Sequence, residues 1–297
     1  MSLFRASTIK LKINGRCVNH CVFCLFHDDP SLLEVADLEA FFNAIEGHRV
    51  RTIVINGGEP TIHPRFLDIC AFLSDRFKGK AQLVLGTNLL TLGESSERRR
   101  LVVRTIFETY DHLQVGCDDE HRNVAALERW APRIVNEGLT LTVNILRDYC
   151  GAETWERIHA ACVLPGVDVT VSELHHVYDG RTVRNRPTRP CRRRLRDLLL
   201  NCNGDAFFCF LQEFEEPLFN LFTAGPERIR DRLRAGSLPL FKYCAVCPVY
   251  QPETLVQDLT ERAAMLGRRV RGRRWATELP EPASRPARRD SLTETHS

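Results

Sequence analysis

The sequence predicts an α/β fold built on a parallel sheet, and two observations carry that expectation. Segments of strand character alternate with segments of helical periodicity through roughly the first 175 residues, and the motifs of polar and thiol chemistry fall where strands end. The strand-like segments lie at about 8–14, 52–56, 81–86, 111–117, 139–146 and 167–173. The first, Thr8–Asn14, alternates apolar and polar residues; the second, Thr52–Asn56, reads as a buried strand. Between them Leu38, Phe41, Phe42 and Ile45 stand at i, i+3, i+4 and i+7, the spacing of one helical face. Cys70 shares a helical face with Phe66, Leu73 and Phe77, as Cys162 does with Trp155 and Ile158, so both thiols read as small core hydrophobes. Six βα units are too few to close an eight-stranded barrel, and the active site is expected at the strands' C-terminal ends.

Composition narrows the class. The chain has 297 residues, 43% of them hydrophobic, enough for a packed core. Its 12 cysteines come with no signal peptide and no long apolar run, which argues against export and membrane insertion and for a reducing cytoplasm. There, thiols read as metal ligands or buried side chains rather than disulfides. A net charge of +3 is too mild to imply nucleic acid by itself.

The loop after the first strand carries Cys17, Cys21 and Cys24 in the spacing C-x3-C-x2-C. That supplies three thiolates and withholds a fourth. A structural zinc site closes with four protein ligands, whereas a cubane on three thiolates keeps one iron open. The second strand runs into Gly57-Gly58-Glu59-Pro60, two glycines that leave backbone groups accessible and one carboxylate. These motifs, with Phe23 before the third cysteine, resemble the radical S-adenosylmethionine (SAM) superfamily. The resemblance implies an open (β/α)6 partial TIM barrel, a [4Fe-4S] cluster on Cys17, Cys21 and Cys24, and SAM bound at the open iron. It also implies that Gly57, Gly58, Glu59 and Asn88 bind the cofactor, the Glu59 carboxylate receiving the SAM ammonium.

Four regions are expected: the partial barrel over 1–178, a cysteine-bearing domain over 179–250, a helix over 251–270 with Leu255, Val256, Leu259, Ala263 and Leu266 on one face, and a disordered Arg/Pro/Ser-rich tail over 271–297. With a strand starting at Thr8, a preceding leader-recognition domain is not expected. Cys191 and Cys209 stand in C-x12-G-x4-C around Gly204, and Cys244-x2-Cys247 follows. This resembles the Twitch domain, the shortened relative of the SPASM domain, and implies a second [4Fe-4S] cluster on Cys191, Cys209, Cys244 and Cys247. A zinc knuckle on the same four cysteines is the alternative. Asn203-Gly204 predicts a two-residue hairpin turn that pairs Cys202 with Asp205 and leaves Cys202 at the tip.

The whole layout resembles the radical SAM enzymes of aminoglycoside biosynthesis, dehydrogenases and in particular neomycin-type epimerases. An epimerase needs a thiol to return a hydrogen atom; Cys247 is the first candidate and Cys117, at the end of the fourth strand, the second. A dehydrogenase would instead pass an electron to the auxiliary cluster. A polycationic substrate needs carboxylates, and Asp28, Asp29, Asp118, Asp119, Glu120, Glu213, Glu215 and Glu216 supply them, with solvated acids and helix caps as the ordinary alternative. A flavodoxin- or ferredoxin-type reductant is expected, and no membrane partner. The arginines between Arg181 and Arg196 could hold phosphates but lack interleaved aromatics, so a solvated linker face is preferred over nucleic acid. A zinc-stabilised nucleic-acid adaptor is the non-catalytic alternative.

Overall fold

The computed structural model describes residues 6–24, 29–93, 95–172, 197–208 and 217–235. Among these, nine strands form one sheet in the order β6-β5-β4-β3-β2-β1-β7-β8-β9. β1 (Thr8–Lys12), β2 (Thr52–Asn56), β3 (Gln82–Gly86), β4 (His112–Gly116), β5 (Thr140–Leu146) and β6 (Val167–Ser172) are parallel and lie side by side in chain order. They alternate with α1 (Val35–Ala44), α2 (Phe66–Phe77), α3 (Glu97–Thr109), α4 (Val124–Asn136) and α5 (Ala152–Ala161). This is the open α/β architecture expected.

Local chemistry sets the helix starts. Glu34 and Asp37 form a reciprocal capping box at α1, and Ser96 Oγ accepts the Arg99 N–H at α3, each satisfying donors that the first turn leaves unpaired. Because each crossover steps the same way across the sheet, right-handed connection places all five helices on one face. The sheet shows it. Ile9, Leu11, Ile53, Ile55, Leu83, Leu85, Leu113, Val115, Leu141 and Val143 are fully buried and share one core with the helices. Cys70 belongs to that core, its thiol 3.5 Å from the Tyr110 hydroxyl, and Cys162 packs against it. The alternate residues, among them Lys10, Lys12, Asn56, Gln114 and Asn144, line the opposite face and remain partly accessible.

The sheet continues past β1. β7 (Asp197–Leu200) joins β1 in parallel, with Lys10 Nζ 3.0 Å from an Asp197 oxygen across the pair, and β8 (Asp205–Phe207) and β9 (Phe219–Asn220) follow antiparallel. α6 (Pro226–Ala235) then packs on α1. The β7–β8 connection corrects the expected turn: Leu200 pairs with Ala206, and Asn201 N donates to Asp205 O at 2.8 Å, so Asn201 rather than Cys202 opposes Asp205. The loop has three residues, closed by Gly204 at φ 84°. The glycine accepts the left-handed backbone of a bulged hairpin, and Asn203 serves instead as an Asx turn, its Oδ1 accepting the Asp205 N–H at 3.1 Å.

Asp28, Cys191, Cys209, Glu213, Glu215, Glu216, Cys244 and Cys247, the helix over 251–270 and the tail lie outside the described residues.

Candidate active site

The segment leaving β1 runs along the end of β2 as an added ladder. Ile13 N donates to Asn56 O, Gly58 N to Asn14 O and Glu59 N to Arg16 O, at 2.8 to 2.9 Å. This contact requires the two glycines. A Cβ on Gly57 would stand 2.4 Å from Asn14 O, and one on Gly58 would stand 2.1 Å from Arg16 O. The glycine pair therefore seats the cysteine loop against the sheet; the faces expected to open toward cofactor are filled by backbone 14–16.

Glu59 is fully buried and its carboxylate is engaged inside the protein. It accepts from Thr61 N at 3.2 Å and Thr61 Oγ1 at 2.6 Å, from Thr87 Oγ1 at 3.0 Å, and from Asn88 N at 2.7 Å. Burial raises its pKa, against the lowering effect of these donors. These bonds make Glu59 a tie between the ends of β2 and β3. Asn88 is held with it, and its Nδ2 lies 3.7 Å from Cys17 Sγ. The next residue, Leu89, takes φ 63°, an unusual backbone for a branched side chain, at the point where the chain turns from the site.

Cys21 is buried, and Cys17 and Cys24 are partly so. Cys21 Sγ is 3.5 Å from Glu120 O, and Cys17 Sγ accepts the Asn19 N–H at 3.4 Å. Burial pushes the Cys21 thiol up to about 12, with Asp118 and the other two thiols adding to it. Cys17 is raised mainly by burial, then by Glu59 and Cys24. The three thiols oppose one another's ionisation, which a cationic centre would relieve, but among the described residues they are not drawn together into a group that could hold a metal ion.

The acidic run after β4 lies against this loop, with each carboxylate already engaged. Asp118, fully buried, accepts the Glu120 and His121 N–H groups at 3.1 and 3.0 Å. Asp119 accepts Gly151 N at 2.9 Å and the Thr154 hydroxyl, capping α5 from outside the helix. Glu120 accepts Val22 N at 3.3 Å from the cysteine loop. Caps and loop contacts thus orient this trio, while Asp118 Oδ2 keeps no hydrogen-bond partner. Asp29 is bound locally too, Oδ1 accepting Ser31 N at 2.9 Å while Oδ2 lies 3.7 Å from Cys202 Sγ. Burial raises its pKa, but these hydrogen bonds outweigh that and leave it lowered.

Several residues here escaped the sequence reading. His121 Nδ1 lies 2.9 Å from Asp118 Oδ1, although not aligned for a hydrogen bond, and its ring covers Gly116, where a Cβ would stand 2.7 Å from Nε2. Phe23 joins it, with ring centroids 5.5 Å from His121 and 5.0 Å from Tyr149. Asn123 donates to Asn88 O at 2.9 Å and Gly116 O at 2.8 Å, fixing β3 against β4. The Asp118-x2-His121 spacing directly after a strand was the signal available. Asn14 Oδ1, Asp118 Oδ2 and Asn123 Oδ1 are buried around the cysteine loop without a hydrogen-bond partner, as expected where a polar ligand completes the site.

Cys117 does not face this site. It shares strand parity with Leu113 and Val115, is fully buried in the helix-side core, and has Cys162, Cys150 and Arg157 among its electrostatic neighbours. Burial raises its pKa strongly. Cys202, expected at an exposed tip, is buried 5% accessible against Asp29.

Fold and site together define an open parallel α/β partial barrel with a three-thiol loop at the sheet's C-terminal edge. No family model and no curated protein sequence matches the chain. Its structure is similar to that of SuiB from Streptococcus suis, with a TM-score of 0.56 at 12% identity over 80% of this chain and 67% of SuiB. SuiB bound to S-adenosylmethionine matches with a TM-score of 0.52 at 13% identity, over 70% of this chain and 61% of SuiB. SuiB bound to precursor peptide SuiA matches with a TM-score of 0.55 at 13% identity, over 78% and 66%. The chain thus spans about two thirds of SuiB, and at this identity the likeness is one of fold.

Proposed function

We propose that this chain is a radical SAM enzyme that inverts a sugar carbon of a neomycin-type aminoglycoside. One observation carries the class: the C-x3-C-x2-C loop is laddered against Gly57-Gly58-Glu59, with Cys17 beside Asn88, at the C-terminal edge of a sheet whose fold is similar to that of a SAM-bound structure. Cys17, Cys21 and Cys24 hold the first [4Fe-4S] cluster, and Gly57, Gly58, Glu59 and Asn88 bind SAM, with the buried, unpartnered Asn14 Oδ1 a further acceptor for its ammonium. When bound, the reduced cluster and SAM together supply a 5′-deoxyadenosyl radical that abstracts a hydrogen atom from substrate carbon.

This chain's part is to keep that carbon in place and decide its fate. The Cys247 thiol returns a hydrogen atom to the opposite face, and one electron and one proton from outside restore it. Cys191, Cys209 and Cys244 hold the second [4Fe-4S] cluster, with Cys247 as its fourth ligand if it is not the donor. A flavodoxin- or ferredoxin-type protein is the proposed reductant, in the cytoplasm; no described helix is long and apolar enough to cross a membrane. The resemblance at the level of whole-chain layout supports the aminoglycoside and the epimerisation. Dehydrogenation is the second reading, favoured by His121 beside buried Asp118, a group able to accept a hydroxyl proton.

Turnover in heavy water separates these. Epimerisation places one deuterium at the inverted carbon and releases one 5′-deoxyadenosine per product. A product lighter by two hydrogens would establish the dehydrogenase instead, and absence of SAM cleavage with any aminoglycoside would refute both.

A further inference from the structure

The face of the sheet opposite the helices is graded. Across it, at the middle of the strands, register sets Leu199, Lys10, Val54, Val84 and His112 side by side; Leu199, Val54 and Val84 are 5, 6 and 3% accessible and stand outside the helix-side core. One layer nearer the cysteine loop, strand register brings polar side chains into a row. Lys12 pairs with Asn56, Gly86 with Gln114, and Gln114 with Thr142; Asn201 follows Leu200, the partner of Leu11, and so continues the row beside Lys12. Asn56 and Gly86 are neighbours in it, a Cβ on Gly86 lying 3.2 Å from Asn56 Cβ. With no side chain at Gly86, only backbone separates Asn56 from Gln114 in the row.

Two oxygens in this row lack partners. Asn56 Oδ1 and Asn201 Oδ1 are buried and accept no hydrogen bond, and Asn201 is only 8% accessible. A buried unpaired amide oxygen costs stability unless something donates to it. Neither amide belongs to the cysteine loop or to the Glu59 tie. We propose that the row Asn201–Lys12–Asn56–Gln114 is the floor of the substrate chamber and takes the hydroxylated edge of a sugar or cyclitol ring, hydroxyl protons donating to Asn56 and Asn201. Both acceptors are neutral amide oxygens, which suit a hydroxyl better than an ammonium, whose charge they would leave uncompensated, so the ligand's amino groups point away from the floor. Val54 and Val84, buried in the layer beneath Asn56 and Gly86, stop the ring from sinking deeper. This rests on the aminoglycoside reading above and specifies which edge of that substrate meets the protein.

The test is calorimetric binding to the reconstituted, SAM-loaded full chain, with neomycin and its per-N-acetylated derivative as probes. Asn56→Leu and Asn201→Leu should each weaken both ligands roughly ten-fold, a lost hydrogen bond, while SAM affinity and iron content stay at the unsubstituted values. Gln114→Leu, at a partly accessible position, should do the same and covers the case in which an asparagine variant fails to fold. Equal binding by folded variants would overturn the floor while leaving the aminoglycoside reading intact. Loss of the Asn56 effect on N-acetylation would overturn the hydroxyl assignment, since ammonium groups would then be the donors. If the unsubstituted protein binds neither probe but binds myo-inositol in an Asn56-dependent way, the floor stands and the aminoglycoside falls.

Discussion

Glu59 concentrates the residue-scale argument, because a carboxylate with no accessible surface must be fully supplied with donors or give up its charge. Thr61, Thr87 and Asn88 supply them from two strand ends. Its upward pKa shift shows that burial costs more than these bonds return. Glu59→Gln would turn an amide N–H₂ toward one of those donors, so the substitution should destabilise the metal-free protein by about 1–3 kcal/mol in a denaturant melt. SAM affinity should fall with it, through displacement of Asn88. A variant that melts like the unsubstituted protein yet binds SAM weakly would show the direct ammonium contact. Asp118 and Asp119 carry structural bonds as well, one in the turn after β4 and the other at the start of α5.

At the scale of elements, the joint between the cysteine loop and the end of β2 decides whether a site exists. Its ladder runs backbone to backbone at Gly57 and Gly58, and the atoms a Cβ would strike at Gly58 are the Arg16 carbonyl carbon and oxygen, which no side-chain rotation can relieve. Gly58→Ala should therefore push the loop from the sheet. Anaerobic reconstitution is expected to yield about half the iron of the unsubstituted chain, with far-UV circular dichroism unchanged. Full iron loading would show that the loop tolerates the shift. Gly204 is constrained differently, by φ 84° and by the Phe222 ring 2.7 Å from where its Cβ would lie. Strand parity also removes Cys117 from the list of hydrogen donors, because odd-numbered positions of β4 face the helices.

At the scale of the whole molecule, β7, which lies between Cys191 and Cys209 in sequence, pairs directly with β1, which leads into the first cysteine set. Two clusters built by separate ligand sets should load independently. The unsubstituted chain should reconstitute with about eight irons, and the triple change of Cys17, Cys21 and Cys24 to Ala with about four and no SAM cleavage. A triple variant that keeps all its iron would refute the assignment of the first set, and one that loses all of it would show that the second cannot form alone.

What the sequence determined by itself is what repeats locally or sits within a few residues. The alternation of strand and helix, the C-x3-C-x2-C loop after β1, the glycines after β2 and the turn at Gly204 could all be read, because periodicity and turn chemistry act over one to seven positions. Tertiary structure decided the rest. The purpose of Gly57 and Gly58, the tie of Glu59 to Thr87 and Asn88, the burial of Cys117 and Cys202 and the polar row across the open face all depend on strand order and register. Those contacts join segments from about thirty to more than a hundred and seventy positions apart, such as Thr87 with Glu59 and Cys202 with Asp29. No local pattern records which of them meet, because the meeting is set by how the sheet is ordered and which way each strand turns its alternate residues.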